Sequence, residues 1–268
     1  MELLIDGVRY NIEVTGEGEP LLLLHGFTGS LKNWEFLIPI MGNQYKLIRV
    51  DIIGHGDTDK PLDHTRYSVQ QVSKDLKSIL DHLNIEKANI LGYSMGGRLA
   101  LSFACLYPEY VTKLILESAS PGLESSEQRQ LRIQQDENLA GRIMNEGVAS
   151  FVDYWESILL FASQKKLSIE EKQFIKQQRL ANSKIGLANS LRGMGTGIQP
   201  SWWQELSKLS FPVLLLTGEL DEKFCVIAGR MQKLIKQCEW QVITNAGHAV
   251  HVEDRRMFGK IVSEFLNS

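Results

Sequence analysis

The chain has 268 residues, 43% of them hydrophobic and 23% charged, with a formal net charge of −3 at pH 7. That length fits one large domain or a core carrying an insertion, and the composition excludes a disordered chain. The weakly acidic balance with no basic block excludes nucleic acid as the natural partner, and no apolar run approaches the roughly 20 residues of a membrane-spanning helix.

The opening stretch MELLIDGVRYNIEVTG has early acidic residues and no charged-then-apolar leader, which predicts a cytoplasmic protein. It alternates apolar and polar residues around Asp6-Gly7, a hairpin turn signal. PLLLLHG follows as a continuous apolar run, the pattern of a strand buried on both faces. YKLIRVDIIGHG, ANILGYS, VTKLILESAS, FPVLLLTGELD and WQVITNAGH repeat the theme further along. Between them lie helical patterns. SVQQVSKDLKSILDHLNI places Val72, Leu76, Ile79, Leu80 and Leu83 on one face behind Ser68 as N-cap. Strands alternating with helices of this length predict an α/β fold, a mostly parallel sheet with right-handed crossovers.

One region breaks the alternation. SSEQRQLRIQQDENLAGRIM, GVASFVDYWESILLF and SIEEKQFIKQQRLANS read as helices with no strand among them. The expected division is a core of residues 1–121 and 208–268 with a helical lid at 122–207. Such an insertion would lie over the C-terminal edge of the sheet, where open α/β sheets bind ligands.

Chemistry concentrates at Gly92-Tyr93-Ser94-Met95-Gly96, set between a buried strand and a helix. G-x-S-x-G in that context predicts a tight turn that strains the serine to φ > 0 and lifts its hydroxyl clear of the sheet. Small residues are needed two before and two after it, hence Gly92 and Gly96. The helix N-terminus beneath favours developing negative charge. A serine nucleophile or base needs an imidazole, and the imidazole an orienting acid. Asp221 in LLLTGELDEKF and His248 in ITNAGHAVHVED each follow a strand and fall at the same sheet edge as Ser94. Glu117 is the rival acid and His251 the rival base; Glu219 and Glu222 are expected to point elsewhere. The backbone amides of Met95 and of Phe27, in the glycine-flanked loop HGFTGS, are candidates for an oxyanion hole.

Cys105, Cys225 and Cys238 are scattered, odd in number and outside any C-x-x-C spacing, and read as reduced structural thiols. No metal-ligand spacing and no dinucleotide fingerprint is present, so neither metal nor cofactor is expected. Oligomeric state leaves no signature.

LLLLHGFTGS, VDIIGHGDTDKP, GYSMGGRLAL, TGELDEKF and NAGHAVHVED together resemble the α/β-hydrolase family over essentially the whole chain. GYSMGGRLAL followed by ESASPGL is most similar to its 2-succinyl-6-hydroxy-2,4-cyclohexadiene-1-carboxylate synthases of menaquinone biosynthesis. That resemblance implies a small polycarboxylate substrate that loses pyruvate by proton abstraction and elimination. It also implies pocket roles for Tyr93, Arg98, Arg132, Trp155 and Arg179, with Arg129, Arg142 and Arg192 as alternatives in the helical insertion. A planar guanidinium matches a carboxylate bidentately, which suits the arginines to such a ligand. Read from the motif alone, the triad serves a carboxylesterase or carbon–carbon bond hydrolase equally well, and a non-catalytic binding protein on the same scaffold is a third possibility.

Overall fold

The computed structural model describes residues 1–268. Eight strands form one sheet: β1 (Glu2–Ile5), β2 (Val8–Thr15), β3 (Glu19–Leu24), β4 (Tyr45–Val50), β5 (Ala88–Tyr93), β6 (Val111–Glu117), β7 (Val213–Gly218) and β8 (Cys238–Ile243). Their spatial order is β1-β2-β4-β3-β5-β6-β7-β8. β1 and β2 pair antiparallel, β2 joins β4 antiparallel, and the six strands from β4 to β8 run parallel. The hairpin between β1 and β2 turns at Asp6 (φ 46) and Gly7 (φ 77), two residues in the left-handed region that this turn demands.

Helices alternate with the strands: α1 (Ile38–Met41), α2 (Val69–His82), α3 (Met95–Leu106), α4 (Ser126–Ser157), α5 (Ile169–Leu180), α6 (Lys184–Met194), α7 (Glu222–Gln232), α8 (Val250–Glu253) and α9 (Arg255–Asn267). Ser68 caps α2, its side chain accepting from the Gln71 amide. The sheet separates two apolar layers. Leu22 and Leu24 of β3 join the layer that holds α2 and α3, while Leu21 and Leu23 join the layer of α9. All four are fully buried, so the continuous apolar run of β3 reflects burial on both faces. At roughly 1.5–3 kcal/mol per buried leucine, this strand anchors the sheet from its centre.

Between β6 and β7 the chain is helical throughout. α4 reaches Ser157 but carries Gly147 at φ 84, ψ 172, so it is two helices joined at a kink, as GRIM and GVASF suggest when read separately. The second helix ends before ILLF does. Ile158 is extended, and Leu159–Lys166 forms 3-10 turns instead of the helical continuation expected there. α6 was absent from the expected elements. A third apolar cluster, including Ile143, Phe151, Leu187 and Leu191, holds α4 and α6 together. No helix is long and apolar enough to cross a membrane.

Candidate active site

β5 ends at Tyr93 and α3 begins at Met95, so Ser94 is the whole connection. Its backbone sits at φ 50, ψ −105, a strained conformation for a residue with a Cβ. Two glycines make the turn possible. A Cβ on Gly92 would stand 2.3 Å from the Gly96 carbonyl oxygen, and one on Gly96 would stand 2.2 Å from that of Leu24. The Ser94 amide donates to the Glu117 carbonyl at 2.8 Å, which fixes the turn to the neighbouring strand β6.

Ser94, His248 and Asp221 connect. Asp221 Oδ2 lies 2.6 Å from His248 Nδ1, and His248 Nε2 lies 2.9 Å from Ser94 Oγ. An ionised carboxylate only accepts, so the imidazole proton sits on Nδ1 and Nε2 is free to accept from the serine hydroxyl. Asp221 is the residue before α7 and His248 follows β8, so both lie at the C-terminal sheet edge with Ser94. Asp221 and His248 are buried, at 7% and 1% exposure. Phe224, Tyr93 and Phe161 surround the imidazole with ring centroids at 4.7, 5.4 and 6.2 Å. Apolar walls of this kind strengthen each electrostatic contact within them.

The rival residues have other partners. Glu117 accepts from both the His251 amide and His251 Nδ1, at 3.0 and 2.9 Å, and both side chains are buried. His251 therefore serves a pair beneath Tyr93, with ring centroids 4.5 Å apart. Glu219 accepts from the Asn245 amide, away from His248.

Ser94, Met95, Phe27, Tyr93 and His248 border a half-open cavity of about 680 Å³, lined also by residues of α4, α6, α7 and the 3-10 segment Leu159–Lys166. The loop carrying Phe27 is shaped by His25. Its Nδ1 donates to the Gly26 carbonyl and its Nε2 accepts from the Ile52 amide, a pattern that requires a neutral ring. Burial pushes its pKa down to about 4, in keeping with that requirement. Neither the Phe27 nor the Met95 amide donates to a backbone carbonyl, which leaves both N–H groups available at the cavity wall.

Arg98, on the first turn of α3, reaches the same cavity. Its Nη1 donates to the Met194 carbonyl at 2.7 Å and to Gln199 Oε1 at 2.6 Å, both neutral acceptors. Burial, assisted by the nearby charge of Arg132, pushes its pKa down to about 10. Arg132 lines the cavity and donates through Nε to Asp136 Oδ1 at 2.8 Å. Asp136 is itself buried, and desolvation raises its carboxyl pKa. Trp155 lines the cavity too, its ring 5.5 Å from that of Phe27 and its buried indole N–H without an acceptor. Burial and the Glu117 charge raise the Tyr93 hydroxyl above its ordinary range.

Arg179 lies elsewhere. It borders a separate small cavity of about 40 Å³ with His251 and Gln164, its guanidinium 4.9 Å from the Phe161 ring centroid and 3.2 Å from Glu156 Oε1. Phe27, Tyr93 and Phe161 border both cavities, and Phe161 is the one the Arg179 guanidinium packs on. Among the alternatives, Arg142 lines the large cavity, while Arg129 and Arg192 do not.

Sequence reasoning missed Gln199, Asp136 and Glu253. Glu253 accepts from the Gly247 amide and from Ser163 Oγ, each at 2.9 Å, and Lys166 donates to the Asn245 carbonyl. The turn before His248 is thereby tied to the Leu159–Lys166 segment. No local pattern could reveal this, because the partners lie 79 to 90 residues apart.

The family profile described as alpha/beta hydrolase fold matches residues 19–255. A putative 2-succinyl-6-hydroxy-2,4-cyclohexadiene-1-carboxylate synthase from Bacillus subtilis is 49% identical over 265 residues, covering 98% of this chain and 96% of that protein. The synthase of the same name from Photorhabdus laumondii is 31% identical, covering 92% of this chain and 85% of its own length. The solved structure of MenH from S. aureus superposes with a TM-score of 0.92 at 35% identity, covering 96% of this chain and 97% of that one. With that profile spanning most of its length and the eight-stranded sheet carrying a serine at the turn from strand to helix, the chain belongs to the α/β-hydrolase fold family.

Proposed function

We propose that this chain is a carbon–oxygen lyase of menaquinone biosynthesis. It eliminates pyruvate from 2-succinyl-5-enolpyruvyl-6-hydroxy-3-cyclohexene-1-carboxylate to give 2-succinyl-6-hydroxy-2,4-cyclohexadiene-1-carboxylate, and it works in the cytoplasm. The observation that carries the reading is the connected Ser94–His248–Asp221 chain at the wall of a cavity that also holds Arg98, whose guanidinium touches no carboxylate. The likeness to synthases of that name adds the reaction.

On this reading Asp221 holds His248 in the tautomer that accepts from Ser94. The serine oxygen, its proton drawn toward His248, removes the proton from the ring carbon beside the succinyl ketone. The electron pair moves through the ring double bond and breaks the carbon–oxygen bond to the enolpyruvyl group, which takes up a proton and leaves as pyruvate. The amides of Phe27 and Met95 face the oxygen on which negative charge collects. Arg98, Arg132, Arg179, Tyr93 and Trp155 bind the anionic substrate, Arg179 once Phe161 gives way. Residues 122–207 act as a lid that excludes water from this chemistry. No acyl-enzyme forms.

Pyruvate release from the enolpyruvyl substrate is the direct test. Ser94→Ala is expected to lower kcat by about a thousandfold or more, since the members of a triad act as one unit. Wild-type turnover by the alanine variant would remove the mechanism. A burst of product from an activated ester, matched to one equivalent of enzyme, would replace it with acyl transfer.

A further inference from the structure

Five cations line the large cavity: Arg98, Arg132, Arg142, Lys223 and Arg230. Three have carboxylate partners. Arg132 pairs with Asp136 at 2.8 Å, Arg142 with Glu146 at 2.9 Å and Arg230 with Glu124 at 2.7 Å. Arg98 contacts only a carbonyl and an amide oxygen. Lys223 forms no ion pair and no hydrogen bond, and its ammonium stands 5.7 Å from the Phe224 ring centroid. The cavity thus carries two cations that no carboxylate touches, although the charge of Asp136 reaches Arg98 from the same wall.

Lys223 is exposed, as an unpaired lysine usually is, but it stands at the rim of the cavity. It is the second residue of α7, directly after Asp221 and Glu222. A cation in the first turn of a helix opposes the helix dipole. The next residue, Phe224, packs its ring 4.7 Å from that of His248. Arg98 follows Ser94 at the head of α3, and Lys223 follows Asp221 at the head of α7. The two cations therefore ride on the two helices that the triad itself begins, with β6 lying between their parent strands β5 and β7.

We propose that Lys223 is a specificity-determining residue that binds a second carboxylate of the substrate. Arg98 and Lys223 together select an acid with at least two carboxylates, and Lys223 contributes to binding in the ground state and the transition state alike. This inference rests on the reaction proposed above, whose polycarboxylate substrate supplies the two anions. A monocarboxylate satisfies one anchor only and gains nothing from the other.

Steady-state pyruvate release at several salt concentrations tests it. At low salt, Lys223→Met is expected to raise KM about fivefold and to leave kcat within about twofold, the scale of an ion pair at a solvent-reached site. Lys223→Glu raises KM further, Lys223→Arg restores it, and the difference between wild type and Lys223→Met narrows as salt screens the pair. Unfolding temperatures do not fall in Lys223→Met or Lys223→Glu, because each relieves a cation in the first turn of α7. Unchanged KM in both Lys223→Met and Lys223→Glu overturns the proposal. So does a fall in kcat at constant KM, which would place the lysine's effect on the triad. Should the wild-type protein release no pyruvate at all, the proposed reaction fails instead, and the two failures are distinguishable.

Discussion

Gly96 shows how closely the serine turn is packed against the strand beside it. A methyl group there would meet the Leu24 and His25 carbonyl oxygens at 2.2 and 2.4 Å, and neither backbone group can retreat without moving β3. Gly96→Ala is therefore expected to destabilise the fold by about 3 kcal/mol or more, read as a lower urea midpoint. A loss under about 1 kcal/mol would mean that the turn has slack the geometry does not show. The residues nearest the chemistry were the most legible in the sequence, because each follows a strand and strands of one sheet end at one edge. Ser94, Asp221 and His248 meet for that reason. The arginines of the helical insertion were less legible, since their direction depends on how each helix is rotated. Arg132 reaches the large cavity, whereas Arg179 borders the small one with its guanidinium against the Phe161 ring. Asp136 and Gln199 had no signal of their own, because their roles arise from Arg132 and Arg98, and Gln199 lies 101 residues from its partner.

Elements with a clear period were read correctly, and α6 was not. KIGLANSLRGM contains two glycines, which lower helix propensity by about 1 kcal/mol each relative to alanine. Tertiary packing outweighs that loss. A Cβ on Gly186 would stand 1.9 Å from the Gly54 carbonyl oxygen, and one on Gly193 would stand 2.4 Å from that of His64. The glycines that hid the helix are what lets it lie against those loops. Gly147 plays a different part. At φ 84, ψ 172 it occupies a region that essentially only glycine enters, while its absent Cβ would meet nothing within 4 Å. Gly147→Ala should accordingly lower stability by about 1–3 kcal/mol through backbone strain alone. Thermal unfolding would measure it, and an unchanged midpoint would show that the kink straightens freely.

Across the molecule, two buried histidines set an acid limit. His25 and His55 are 0% exposed, with pKa values pushed from 6.5 to about 4 and about 3, chiefly by burial. The folded state keeps both rings neutral at pH values where the unfolded chain binds protons on them. Their contribution is thus fully present above about 6.5 and is lost as pH falls through the window down to about 4 for His25 and about 3 for His55. The free energy of unfolding, read from urea titrations, should fall on going from neutral pH toward that window, by up to several kcal/mol in total. His55→Gln should flatten the slope, and a slope of equal size in that variant would assign the effect elsewhere. The parallel sheet and the edge that gathers the site were readable from the strand pattern, but contacts between distant segments were not. The joint made by Ser163, Gly247 and Glu253 is one such contact, and it bears on protein engineering. A Cβ on Gly247 would stand 2.0 Å from Ser163 Oγ, so the hydroxyl fills the space that glycine leaves open. Anyone grafting the helical portion of another family member onto this sheet would have to carry all three positions as a set. A chimaera that mismatched them would inherit a misaligned imidazole, however well its helices packed.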